Sequence, residues 1–159
     1  MTAIIFPGQG SQYVNMSMDF NENFDVAKKV FQEIEDSTQI NIRKIITENP
    51  LDNLNQTNYT QISIFSASMA IYKSLLSEFG NEIIKPKFLL GHSLGEYSAL
   101  VAGNFINIKD ASILIKKRGE LMHSSIQPNV SGMAAIIGKN ADFIAKITPF
   151  FWHFFTNLP

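Results

Sequence analysis

Apolar and polar positions along this chain follow two rhythms. Ala3-Ile4-Ile5-Phe6 and Phe88-Leu89-Leu90 are short, wholly apolar runs, the pattern of strands buried in a parallel sheet. Strands are therefore predicted over 3–6 and 87–90. Each is followed at once by a glycine-bearing loop, Pro7-Gly8-Gln9-Gly10-Ser11-Gln12 in one case and Gly91-His92-Ser93-Leu94-Gly95 in the other. Between them the apolar residues recur at steps of three and four, the period of amphipathic helices. Phe24, Ala27, Phe31 and Ile34 make one stripe on a helix predicted from Asn23 to Gln39, with Lys28, Lys29, Glu33 and Glu35 turned to water. Ile42, Ile45 and Ile46 predict a short helix ending before Asn49-Pro50. Ile62, Phe65, Met69, Tyr72, Leu76 and Phe79 form the buried line of a helix from Thr60 to Phe79, stopped by Gly80. Its serines and alanines between those positions favour close packing on another element. Further on, a helix from Glu96 to Ala102 closes at Gly103. Another runs from Asp110 to Ser124, and Ser131 to Gly138 reads as a strand.

Composition narrows the picture mainly by exclusion. The 159 residues hold 13 Lys and Arg against 14 Asp and Glu, and no basic stripe alternates with aromatics, so nucleic acid is not an expected partner. With no cysteine, thiol catalysis, disulfides and cysteine-ligated metals are ruled out. The N-terminus carries no basic segment followed by a long apolar run, which sets a cytoplasmic location as the expectation. No internal repeat or low-complexity tract interrupts the chain. The aromatic stretch from Ile147 to Pro159 lacks a helical period and is too short to cross a bilayer. It also lacks the Lys/Arg face of a membrane-surface helix.

Chemistry concentrates in Gly91-His92-Ser93-Leu94-Gly95. An apolar strand running through Gly-x-Ser-x-Gly into a helix is the nucleophile elbow, which lifts a serine hydroxyl above a sheet edge. Its glycines allow strand and helix to approach where a Cβ would collide. Ser93 would then stand at the positive end of the following helix. The Pro7–Gln12 loop matches neither the dinucleotide fingerprint nor the P-loop. Beside the turn it becomes a second wall of a site, presenting Gln9. Lys116 and Lys117 read as a solvated face, whereas Arg118 opens the more distinctive string Arg118-Gly119-Glu120-Leu121-Met122.

Taken together, Phe6-Pro7-Gly8-Gln9-Gly10-Ser11-Gln12, Gly91-His92-Ser93-Leu94-Gly95-Glu96, Arg118-Gly119-x-Leu121-Met122 and Gly132-Met133-Ala134-Ala135-Ile136-Ile137-Gly138 resemble malonyl-CoA:acyl-carrier-protein transacylases. They also resemble the related acyltransferase domains of fatty acid and polyketide synthases. The resemblance spans about residues 1 to 145. It implies an α/β fold: a partial hydrolase-like parallel sheet flanked by helices with a nucleophile elbow over 1–127, then the start of a ferredoxin-like subdomain over 128–145. An aberrant aromatic tail would occupy 146–159.

The same resemblance implies the site residues. Ser93 would be the nucleophile that accepts malonyl from coenzyme A. Gln9 and the backbone N–H of Leu94 would form the oxyanion pocket. Arg118 would pair with the free carboxylate, with His92 and Met122 completing the substrate site. A planar guanidinium can hold a carboxylate by two parallel hydrogen bonds, as a lysine cannot. His92 itself reads as a histidine that shapes the turn. Malonyl-CoA enters as substrate and acyl carrier protein as partner, with no metal or other cofactor implied. The family's chains are longer, and their basic histidine lies beyond the point where this sequence stops, so a truncated and impaired transacylase is the expectation. A non-catalytic remnant, and a serine hydrolase or thioesterase with no need of Arg118, remain as alternatives.

Overall fold

The computed structural model describes residues 2–125, 138, 140 and 142–147, which divide into two compact units, Met1–His123 and Ser124–Pro159. In the first unit, strand β1 (Ala3–Phe6) leads to helices α1 (Met18–Asn23), α2 (Asp25–Thr38) and α3 (Ile42–Glu48). A 3-10 segment (Pro50–Asn55) and the long helix α4 (Thr57–Ile83) follow. Strand β2 (Phe88–Gly91), helix α5 (Gly95–Ala102) and helix α6 (Ile108–Ser124) complete the order. In the second, residues 142–147 are helical, and Asn140 caps them by accepting from Phe143 N–H at 2.9 Å. The strand expected over 131–138 and the tail expected over 146–159 lie outside the described residues, except for Gly138 and the helical residues 146 and 147. Among the described residues no helix is long and apolar enough to cross a membrane.

The two predicted strands pair in parallel, Ala3 opposite Phe88 and Phe6 opposite Gly91. A parallel pair needs a long crossover, and here the crossover is the whole helical block from α1 to α4. Among the described residues, only one face of the pair is covered. Phe6 is buried and meets the Tyr72 ring edge-on at 5.8 Å, with Ile4 and Leu89 packed against the same core. On the other face Ile5 is 69% exposed and Phe88 and Leu90 are each 49% exposed. The double-sided burial that the apolar runs predict is therefore half realised, because the described sheet has two strands.

Helix α4 is the axis of the core. Its residues from Thr60 to Ala67 are all buried, as are Met69, Ala70, Tyr72 and Ser74. Ser66 and Ser74 return their hydroxyls to the carbonyls of Ile62 and Ala70, both at 2.8 Å, which lets small polar residues sit inside a helix pair. The helix begins three residues before its predicted start. Gly80, at φ 74° and ψ 162°, breaks its regular conformation where the sequence places the stop.

Several expectations need correction. The helix predicted from Asn23 begins at Asp25, because Phe24 is extended, and Asn23 instead ends α1, a separate short helix that the sequence reading lacks. Glu35 does not face water: it is folded onto Arg43, taking its backbone N–H at 2.9 Å and its Nε at 3.0 Å. Phe79 leaves the buried line of α4 and is exposed. No buried face is predicted for α6; it is Ala111, Ser112, Ile115 and Gly119, and Ile113, Leu114, Leu121 and Met122 are exposed. That face meets two helices: Ser112 shares a hydrogen bond with Ser37 of α2 at 2.7 Å, and a Cβ on Gly119 would stand 3.1 Å from Asn58 Cα of α4.

Candidate active site

The site is built where β2 turns into α5. His92 N–H donates to Phe6 O at 3.1 Å, continuing the strand ladder one step, and the turn closes by Gly95 N–H to His92 O at 2.9 Å. Two glycines make this geometry possible. A Cβ on Gly91 would lie 2.1 Å from the Gly95 backbone, and one on Gly95 would lie 2.4 Å from Phe6 O. Ser93 sits between them at φ 55°, the left-handed region that a serine adopts at a cost. That twist leaves its side chain exposed at the turn. Leu94, fully buried, anchors the turn from below. Its backbone N–H takes no part in the bonds that close the turn, which use the amides of Gly95, Glu96 and Tyr97.

The Pro7–Gln12 loop lies against the same turn. A Cβ on Gly8 would meet His92 Nδ1 at 2.4 Å, so the exposed His92 ring rests over Gly8 and shapes both loops. Gln9 donates from Nε2 to Thr57 Oγ1 at 3.2 Å, and Gln12 to Asn55 Oδ1 at 3.1 Å, tying the loop to the start of α4. Among the described residues, no hydrogen bond joins Gln9 or His92 to Ser93.

Arg118 closes the arrangement from α6. Its Nη2 donates to Ser93 Oγ at 2.9 Å, and its Nη1 donates to Gln61 Oε1. Gln61 Nε2 in turn donates to Met122 Sδ at 3.2 Å. The structure thus brings Ser93, Arg118 and Met122 to one place with the Leu94 amide beside them, and Gln9 and His92 form the adjoining wall. His123, also exposed, is hydrogen-bonded to neither Ser93 nor Arg118. Sequence reasoning missed Gln61 and Thr57. Gln61 lies four residues before Phe65 on the buried line, and a glutamine on such a line signals a buried polar partner.

Chemically the cluster offers an exposed hydroxyl at the start of a helix, a free amide aligned with that helix, and a fixed cation against the hydroxyl. The chain from residue 3 to 147 matches the family model described as the acyl transferase domain. The chain belongs to this acyl transferase family. Its relatives include the malonyl CoA-acyl carrier protein transacylase of Bacillus subtilis strain 168, 36% identical over 146 residues. That match covers 92% of this chain and 45% of the relative. The acyl-carrier-protein S-malonyltransferase of Bartonella henselae superposes with a TM-score of 0.84 at 36% identity, over 94% of this chain and 48% of that one. A malonyl-transacylase solved in complex with its type II PKS acyl-carrier protein superposes with a TM-score of 0.82 at 35% identity, over 91% of this chain and 46% of that one. This acyl transferase chain spans about half the length of the curated relatives it matches.

Proposed function

We propose that the chain carries the acyl-accepting half of a malonyl-CoA:acyl-carrier-protein transacylase, with Ser93 as nucleophile on a nucleophile elbow. The observation that carries this reading is the 2.9 Å bond from Arg118 Nη2 to Ser93 Oγ. A hydrolase of neutral esters has no use for a guanidinium on its serine, whereas a transferase of a carboxylated acyl group does. Ser93 Oγ attacks the thioester carbonyl of malonyl-CoA, and the oxyanion is held by the Leu94 N–H at the positive end of α5. The C–S bond breaks, coenzyme A leaves as its thiol with the serine proton, and an O-malonyl ester remains. The thiol of an acyl carrier protein then attacks that ester and returns the proton to Ser93 Oγ. Once Ser93 is esterified, Arg118 holds the free carboxylate, so an acetyl group leaves the cation without its partner. The relatives named above, transacylases of malonyl between coenzyme A and acyl carrier protein, support the substrate and partner. The expected start of a ferredoxin-like subdomain belongs to the same proposal.

A second reading is favoured by one observation: among the described residues no histidine hydrogen-bonds Ser93. A serine without a base is a weak nucleophile, so the chain would bind or slowly accept malonyl without turning over. One experiment tests both. The chain is incubated with malonyl-CoA and then with a carrier protein, and the peptide bearing Ser93 is weighed after each step. A malonyl ester on Ser93 that the carrier discharges supports the transacylase. An ester that forms and stays supports the second reading. An ester that persists in Ser93→Ala rejects both, and no ester together with no binding of malonyl-CoA in a titration does the same.

A further inference from the structure

Arg118 is not held at Ser93 by Ser93. Its side chain is tethered at the other end to Gln61, which is 0% exposed and belongs to the most deeply buried stretch of α4. The orientation of that amide is fixed chemically. A guanidinium only donates, so Oε1 must face it, and the remaining NH₂ finds the Met122 thioether at 3.2 Å. Gln61 therefore bridges two residues one turn apart on α6. The helices are locked together at the same level, where Gly119 touches the backbone of Thr57 and Asn58.

We infer that Gln61 is the positioning residue for Arg118 and thereby sets the preference for a carboxylated acyl group. This rests on the reading of Ser93 and Arg118 proposed above. With Nη1 anchored on the buried Gln61 amide, the guanidinium is kept from swinging away, and Nη2 points at the serine. Once Ser93 Oγ is esterified, Nη2 is released to the carboxylate at the far end of the acyl chain. A neutral amide is the suitable anchor, because it fixes the cation without neutralising it. A carboxylate at position 61 would hold Arg118 equally well but satisfy its charge internally and repel the substrate.

The test compares Gln61→Leu and Gln61→Glu with the unmodified chain in two measurements. The first is single-turnover esterification of Ser93 by malonyl-CoA and by acetyl-CoA, read by mass. The second is the ¹H–¹⁵N spectrum of the arginine side chains, in which a tethered Nη1 rotates slowly and gives resolved signals. In Gln61→Leu the resolved signals of Arg118 should vanish. Malonyl loading should fall by about tenfold or more, the effect of losing a hydrogen bond to a charged group. Acetyl loading should fall by less than about threefold, since acetyl makes no use of the cation. Gln61→Glu should keep the resolved signals and still lose malonyl loading, a split that mere packing would not produce. Unchanged Arg118 signals in Gln61→Leu, or equal losses for both acyl groups in the two variants, would overturn the inference. Arg118→Ala serves as the control for the underlying reading. If its malonyl-to-acetyl ratio is unchanged, the carboxylate reading fails, and the Arg118 spectrum still decides whether Gln61 positions the arginine.

Discussion

Arg118 reaches across 25 positions of sequence to donate from Nη2 to the Ser93 hydroxyl at 2.9 Å. The contact joins the left-handed turn after β2 to the middle of α6. It gives the unacylated serine a cationic neighbour, and among the described residues no histidine is hydrogen-bonded to it. Transfer of malonyl to a carrier protein by this chain alone should therefore run far below about 1 per second, the lower edge of ordinary enzyme turnover. A steady-state assay against Ser93→Ala reads this directly. Turnover of about 1 per second or more would mean that a base acts on Ser93.

The turn itself should be intolerant of any added carbon. Gly95→Ala places a Cβ 2.4 Å from Phe6 O, and Gly91→Ala places one 2.1 Å from the Gly95 backbone. Neither neighbour is a side chain that can move aside. Each variant should lose at least about 1–3 kcal/mol in urea unfolding, as overpacking costs. Gly119→Ala meets α4 backbone at 3.1 Å, a milder clash, and should lose less. A Gly119→Ala protein less stable than Gly95→Ala would contradict the geometry.

Glu35 was expected to face solvent and instead is 12% exposed, folded onto Arg43. It accepts from both the Arg43 backbone and its guanidinium, which fixes the approach of α3 to α2. Glu35→Ala should cost about 1.5–3 kcal/mol, the range for hydrogen bonds to charged groups. Thermal or urea unfolding checks this, and a loss indistinguishable from zero would return Glu35 to the solvated face.

The uncovered sheet face should make the chain associate. Ile5 and Leu90 are neighbours across the parallel pair, 69% and 49% exposed, and with Phe88 they form a joined apolar surface. Ile5→Lys combined with Leu90→Lys should reduce self-association in sedimentation velocity without lowering the unfolding midpoint. Unchanged association would place the sticky surface elsewhere.

What was legible in the sequence was local. The β2–Ser93–α5 unit is dictated by glycines at fixed offsets from an apolar run, and each of those glycines meets backbone at close range. The break in α4 at Gly80, three residues before the helix ends at Ile83, is equally local. What escaped depends on partners far along the chain. Gln61 looks like one more residue of a helix until α6 brings Arg118 to it. Helix α1 was invisible because Asn15 and Ser17 enter it through left-handed conformations, at φ 65° and 59°, that no glycine announces. The buried face of α6, Ala111, Ser112, Ile115 and Gly119, likewise depends on distant partners such as Ser37 of α2.

The central claim is that Ser93 and Arg118 form one site that selects a carboxylated acyl group. It is tested most directly by the ratio of malonyl to acetyl esterification of Ser93 in Arg118→Ala and in the unmodified chain. Removing the guanidinium should weaken malonyl loading by about 1.5–3 kcal/mol, the range for hydrogen bonds to a charged group, while acetyl loading falls much less and the ratio collapses. Equal losses for the two acyl groups would contradict the account.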